Sequence, residues 1–316
     1  LELHRAFTDQ EQYTVTKSKP LLSIGLPVYN GEQFLEETLQ SILNQSFEDF
    51  ELIICDNAST DETEAICRRY IEKDARIRYY RNEYNIGWAL NHNKVVGLAN
   101  GAYFKWIAYD DLIAPVFLEK CIEVLDQHPE VVLCYPRTQF IDVHGQPIST
   151  YADDLDLHEV APSERFRTFF KRQGLCHLLF GVTRTDVLKR TSLMGSYIMS
   201  DRVLVGELAL NGMLCELPDY LLFRRLHDGI STTINTNGDE MLEWIDPSVN
   251  RSLRLPRWRR LVEYCHAIER TPIPLNERLR CYTVLAGFVF VPDRVVGLLG
   301  DITHLIFPPK TKSWMN

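Results

Sequence analysis

The chain has 316 residues, 45% hydrophobic and 24% charged, the balance of a globular protein with room for a sizeable core. Its formal net charge of -9 argues against bulk nucleic-acid binding, which needs a positive field. Eight cysteines scattered through apolar segments, with no C-x-x-C pair, argue for a reducing compartment rather than a disulfide framework or a zinc site.

Residues 1–20 form a polar leader without the charged-then-apolar pattern of a secretory signal. No run approaches the roughly 18 apolar residues that span a bilayer. The best stretch, 282–291, is short and is closed by Pro292, Asp293 and Arg294. The expectation is a cytoplasmic protein, with peripheral contact at the inner face of the membrane left open.

The apolar run 21–28 reads as a buried strand that ends in the turn Tyr29-Asn30-Gly31. Phe34, Leu35, Leu39, Ile42 and Leu43 then recur at helical spacing, which predicts an amphipathic helix over 31–45. A second buried strand over 51–55 stops at Asp56-Asn57. Ser59 and Glu62 have the spacing of a capping box for a helix reaching about Lys73. A strand over 76–80 and a helix over 87–98 follow.

The aromatic run 102–109 then stops at two adjacent carboxylates, Asp110 and Asp111. Like charges side by side repel unless a cation or donor groups lie between them, so a divalent metal is one reading. The other is that the two acids cap a helix over 113–127, whose N-terminus favours negative charge. With a short strand over 131–135, the alternation predicts a mostly parallel, doubly wound α/β sheet. The strand ends at Tyr29, Asp56, Asn82 and Asp110 then share one edge, where ligands of such sheets bind.

Beyond this point the pattern changes. A hairpin is expected over 138–148 around His144-Gly145, a helix over 162–172, a strand over 175–182 and a helix starting at 185. Another helix covers 201–211, and a long strand broken at Pro218 covers 213–225. Residues 230–239 read as a loop, and helical patterning resumes from 240. The expected organisation is the leader 1–20, a domain over 21–231 split into a donor half (21–135) and an acceptor half (136–231), and a mainly helical extension over 232–316.

A dinucleotide fingerprint would place G-x-G-x-x-G after the first strand, where this chain has Pro27-Val28-Tyr29-Asn30-Gly31. A Walker A loop is also missing. A nucleotide must therefore be held without a glycine-rich cradle, and a metal bridging its phosphates is the natural substitute.

Four segments in order, 23–30, 53–61, Asn85-Ile86-Gly87 and Tyr109-Asp110-Asp111, resemble the successive motifs of the family 2 glycosyltransferases of GT-A fold. The likeness covers about 21–231. It implies an α/β GT-A sheet with a smaller mixed acceptor region. It also implies inverting transfer of a sugar, in polysaccharide biosynthesis, from a UDP-, GDP- or dTDP-sugar, with Mg2+ or Mn2+. The acceptor would be a saccharide, a lipid-linked molecule or another hydroxyl carrier.

Carried over residue by residue, the resemblance implies that Pro27, Tyr29 and Asn30 line the nucleoside pocket and that Asp56 accepts a hydrogen bond from the base. Asn85, Gly87 and Asn93 match the loop beside ribose and phosphates, although His92 stands where the family has arginine. Asp110 takes the metal position of a D-x-D motif whose first acid is here Ala108. Asp111 is left for the ribose, the metal's water shell or a cap. Asp201, in Ser200-Asp201-Arg202, matches the general base, with Ser200 replacing the family's first acid; a first-turn helix acid is the plain alternative. His227 in Arg225-Leu226-His227, followed by Ser231, would complete the metal shell or clamp the diphosphate. His177 and Arg184 would face the acceptor.

The arginines at 251, 254, 257, 259 and 260 around Trp258 have two readings. They are a solvated helix face, or a surface over 251–264 for anionic lipid or a phosphorylated acceptor. Two rivals to the transferase remain. One is an inactive nucleotide-sugar binding scaffold, suggested by Ala108 and Ser200. The other is a nucleotidyltransferase, which would want a phosphate loop after the first strand.

Overall fold

The computed structural model describes residues 19–172, 174–229, 238–248 and 255–306. The leader over 1–18, most of the expected loop over 230–239 with Ser231, and Arg251 and Arg254 lie outside them.

Strand β1 (Leu22–Val28) pairs in parallel with β2 (Phe50–Asp56), from Leu22 opposite Phe50 to Val28 opposite Asp56. β3 (Ile77–Arg81) extends the sheet beyond β2, and β4 (Tyr103–Trp106) pairs with the other edge of β1, both in parallel. Alternate residues feed opposite faces. Leu52 and Ile54 join the core under helices α1 (Leu35–Leu43), α2 (Thr63–Ile71) and α4 (Phe117–Gln127), whereas Ile53 and Cys55 join the core under α3 (Trp88–Leu98). Both faces are thereby covered, which is why these strands read as unbroken apolar runs.

Beyond β4 the sheet is mixed. Its remaining strands are β5 (Leu112–Ile113), β6 (Val131–Ile141), β7 (Pro147–Tyr151), β8 (Val182–Arg184) and β9 (Met213–Arg225). The order is β3-β2-β1-β4-β8-β6-β9-β5, with β7 hairpinned on β6. The register of β9 against β6 jumps from Leu217 to Tyr220, across Pro218, which has no N–H to give the ladder. The ends of β1, β2, β3 and β4 share one edge, as expected.

Several expectations are corrected locally. The aromatic run is a strand only as far as Trp106, so Asp110 and Asp111 lie in the turn before β5. Helix α4 begins at Phe117 after Val116, and neither acid caps it. The Ser59–Glu62 capping box does not form; the Ser59 hydroxyl instead accepts the Asn30 N–H at 2.9 Å. Helix α1 starts four residues late because the Gly31 carbonyl accepts from Phe34 and Leu35 in a tight entry turn. The segment expected as a strand over 175–182 is a 3-10 turn, His177–Phe180, running into β8.

Helices α5 (Pro162–Lys171), α6 (Thr185–Arg190) and α7 (Ser200–Asn211) lead to the C-terminal helices α8 (Gly238–Ile245), α9 (Pro256–Arg270), α10 (Leu275–Val289) and α11 (Pro292–Ile306). Phe166 and Phe170 of α5 interlock with Tyr264 and Phe288, the Phe170 and Phe288 rings lying 4.1 Å apart. Buried Glu207 of α7 pairs with Arg270 at 2.7 Å. The helical extension thus shares a core with the sheet. Among the described residues no single helix is long and apolar enough to cross a membrane, although α10 and α11 form a pair bent by 81°.

Candidate functional site

The loops after β1 and β2 are stitched together at the strand-end edge. Asn30, at φ +51°, accepts the Thr60 N–H at 2.9 Å, Gly31 N–H donates to the Thr63 hydroxyl at 2.8 Å, and Glu32 N–H donates to Asp61 at 2.9 Å. Pro27 is buried within β1 and Tyr29 stays 42% exposed, so its ring is open to a ligand. Asp56 is fully buried; its carboxylate accepts the Ser59 N–H at 2.8 Å and the Tyr79 hydroxyl at 2.6 Å.

An asparagine network, in which sequence reading gave a donor-binding role only to Asn85, shapes the next loop. Asn57 accepts from Asn82 and from the Ile86 N–H, both at 2.9 Å, and donates to Asn85 at 2.8 Å. Asn91 donates to the Cys55 carbonyl at 2.8 Å and accepts from Asn82 at 3.0 Å. Gly87 adopts φ +88°, ψ 164°, a region open essentially to glycine. An added Cβ would also lie 2.6 Å from the Ile245 carbonyl, because the end of α8 rests on this loop and Trp244 stacks on Trp88 at 5.3 Å.

Asn93 and His92 turn away from that loop. Asn93 exchanges two hydrogen bonds with the Met194 backbone, at 2.8 and 2.9 Å. His92 is pushed down to about 4 by burial and is held on the Trp88 carbonyl at 2.9 Å, so it is neutral where an arginine would carry fixed charge.

The turn after β4 meets the end of β9. Asp110 Oδ2 lies 2.9 Å from His227 Nε2, with the two side chains 13% and 9% exposed. Arg225 fixes this meeting. Fully enclosed, it donates to the carbonyls of Asp110 (3.1 Å) and Val143 (2.9 Å), pairs with Glu37 at 2.6 Å and lies over the Phe34 ring at 4.6 Å. Asp111 accepts the Arg225 N–H at 3.1 Å. Its other oxygen accepts no hydrogen bond, although Arg224 Nε stands 3.2 Å away as an ion pair. Burial pushes the Asp111 carboxyl up to about 6 against the pull of Arg224, with Asp110 adding to the rise. Below it Lys105, fully buried, is pushed down to about 7 by burial and donates to the Phe180 carbonyl.

Asp201 opens α7 after Met199, which has φ +66°. Its carboxylate accepts the Arg202 N–H at 2.9 Å, and burial raises its pKa. The 3-10 turn and the Cys176 before it lie in the same half of the chain. The Cys176 thiol is pushed up by burial and by the carboxylates of Asp201 and Asp153, while His177, driven down to about 3 chiefly by burial, also feels Arg224. His177 is therefore neutral; it bonds the Thr138 hydroxyl at 3.1 Å and meets the Tyr151 ring at 4.9 Å. Arg184 is not brought to this group. It pairs in register with Tyr103 at the start of β4, and its guanidinium is committed to the carbonyls of Val131, Leu125 and His128.

Among the described residues, a group of three potential metal donors lies elsewhere, at Asp156, His158 and Cys215; Asp110 and His227 supply two. Sequence reading placed Asn57 and Arg225 inside motifs without giving either a role, and it did not single out Trp244. Arg225 carried a signal, an arginine two residues before a motif histidine, whereas Trp244 carried none.

Residues 23–191 match the glycosyl transferase family 2 model. The chain is 36% identical over 206 residues to an uncharacterized glycosyltransferase of Haemophilus influenzae, a match covering 61% of this chain and 82% of that one. It is 34% identical over 135 residues to an uncharacterized glycosyltransferase of Methanocaldococcus jannaschii, covering 42% of this chain and 47% of the relative, and so spans about half the length of that protein. To chondroitin synthase of Escherichia coli it is 32% identical over 206 residues, covering 60% of this chain and 30% of the synthase. In fold it is similar to S. aureus TarS 1-349 in complex with UDP-GlcNAc, with a TM-score of 0.54 at 19% identity over 88% of this chain and 83% of that one. A mannosyltransferase from Pyrobaculum calidifontis in complex with GDP-Man and Mn2+ gives 0.52 at 15% identity, over 93% and 89%.

Proposed function

The chain belongs to glycosyl transferase family 2, and from that premise we propose that it transfers a sugar from a nucleoside-diphosphate donor to an acceptor hydroxyl with inversion. The observation that carries this reading is the 2.9 Å approach of Asp110 to His227 at the strand-end edge, which joins motifs 117 residues apart in sequence. The ligands of the structural neighbours, UDP-GlcNAc and GDP-Man, support a nucleotide-sugar donor.

A divalent cation fits the residues present. A carboxylate oxygen and an imidazole nitrogen at bonding distance, both largely withdrawn from water, are two donors of the right kind, and the mixed set suits Mn2+ better than Mg2+. When bound, such an ion supplies Lewis-acid stabilisation to the departing nucleoside diphosphate. The chain's own residues do the rest. Arg225 fixes the Asp110 backbone, Asn57 and Gly87 shape the phosphate loop, and Tyr29 offers an open ring to the base. Asp56, fully enclosed and bonded to Tyr79 and Ser59, braces the floor of the nucleoside pocket from beneath rather than meeting the base itself.

Asp201 is the general base. Its raised pKa makes it a stronger proton acceptor than an ordinary aspartate once it is ionised. Release of nucleoside diphosphate from UDP- and GDP-sugars in the presence of Mn2+ tests the reading. Asp201→Asn is expected to lose at least about a hundredfold in rate while retaining donor affinity. Undiminished turnover in that variant would remove Asp201 from the mechanism, and no release from any donor would leave a binding scaffold.

A further inference from the structure

His227 follows the C-terminal end of β9, and three side chains of metal-ligating type, Asp156, His158 and Cys215, meet at the other end of that strand. Leu157 and Leu214 exchange backbone hydrogen bonds at 2.8 and 3.1 Å in an isolated antiparallel bridge, and both side chains are fully buried. In extended chain the neighbours of a buried residue point the other way. Asp156, His158 and Cys215, which flank the two leucines, therefore share the opposite face.

Their donor atoms all lie within 4.8 Å of one another, and His158 Nε2 is 2.8 Å from Asp156 Oδ1. The Glu216 N–H donates to that same oxygen at 2.9 Å, which holds the carboxylate against β9 as hydrogen bonds behind the ligands do in metal sites. Around a tetrahedral zinc ion, bonds of about 2.0–2.3 Å keep ligand atoms about 3.3–3.5 Å apart, so small side-chain rotations close this group on one ion. The buried Cys134 thiol hydrogen-bonds Cys215 and holds its pKa below the ordinary thiol value, against burial and the carboxylates of Asp156 and Glu216. A cation relieves the repulsion between those carboxylates and a thiolate. Cys215 is far in sequence from His158, so cysteine spacing does not reveal the group.

We infer that Asp156, His158 and Cys215 form a cation site separate from Asp110 and His227, and that it takes Zn2+ with water as the fourth ligand. Thiolate and imidazole favour zinc over Mg2+ and Mn2+, which prefer oxygen. The ion staples the segment before α5 to the start of β9. It needs no nucleotide and is independent of the transferase reading.

Titration of the chelator-treated full chain with Co2+, a spectroscopic substitute for zinc, tests it. Tetrahedral Co2+ bound to a thiolate shows a sulfur-to-metal charge-transfer band in the near ultraviolet, which Asp110 and His227 cannot produce. One Co2+ per chain should give the band, and Zn2+ should displace it. Cys215→Ser should remove the band, whereas Cys265→Ser and Asp110→Ala should leave it intact. His158→Ala and Asp156→Asn should each weaken Co2+ binding about tenfold or more. His158 is exposed, so its variant keeps the test open should Cys215→Ser not fold. Zn2+ should also raise the thermal midpoint of the wild type and of Asp110→Ala, but not of Cys215→Ser. No band, a band that survives in Cys215→Ser or is lost in Cys265→Ser, or unchanged Co2+ affinity in both His158→Ala and Asp156→Asn would overturn the inference.

Discussion

Replacing Arg225 by methionine keeps a stem of similar length and removes the guanidinium that joins β9 to the Asp110 turn. The carbonyls of Asp110 and Val143 then lose their donor, at about 1–3 kcal/mol each. Glu37 is 57% exposed and regains water, so its lost ion pair adds less than about 1 kcal/mol. The expected loss is about 2–7 kcal/mol, or about 3–10 °C in the thermal midpoint of a chain this long. Because the turn it anchors carries Asp110, Mn2+-dependent affinity for a nucleotide sugar should fall by about tenfold or more in the same variant. Arg225→Lys keeps charge without the fork and should recover little of either. Differential scanning calorimetry and donor titration read both quantities. A variant with an unchanged midpoint and unchanged donor affinity would refute the assignment of Arg225 as the clamp on this turn.

Gly87→Ala should cost about 1–3 kcal/mol from its backbone conformation and should also displace α8, read as a change in tryptophan fluorescence where Trp244 lies on Trp88. Glu207→Ala should destabilise by about 1–3 kcal/mol by taking the acceptor from the Ser192 N–H, with less than about 1 kcal/mol from the ion pair because Arg270 is 37% exposed, yet leave donor affinity unchanged in titration, because Glu207 serves packing. The base must be ionised to act and burial raises the Asp201 pKa, so kcat/KM should fall on the acid side at a pH above the ordinary aspartate range. An acid limb within the ordinary range would count against Asp201 as that group.

The sheet was legible because β1 and β2 are buried on both faces and read as continuous apolar runs between turn residues. Asp110 was legible as a site residue but not as part of a turn. The loop after Trp106 is held by non-local bonds, Thr38 donating to the carbonyls of Tyr109 at 2.7 Å and Asp111 at 2.9 Å, which no local periodicity records. The segment over 175–182 has the apolarity of a strand, but Cys176 sits at φ +60° and Asp153 captures the Leu178 N–H at 2.7 Å, so the chain turns instead. Arg184 illustrates the opposite failure. Its place in an expected acceptor segment gave no hint that β8 runs antiparallel to β4 and so carries it beside the start of β4, away from the strand ends.

Thermal denaturation of the wild-type chain and Asp110→Ala with UDP- and GDP-sugars, each with and without Mn2+, tests the central claim most directly. The wild type should rise in midpoint with at least one nucleotide sugar when Mn2+ is present and much less without it, and Asp110→Ala should lose that metal-dependent rise. A rise of the same size without Mn2+ and in the variant, or no rise with any nucleotide sugar, would contradict the account.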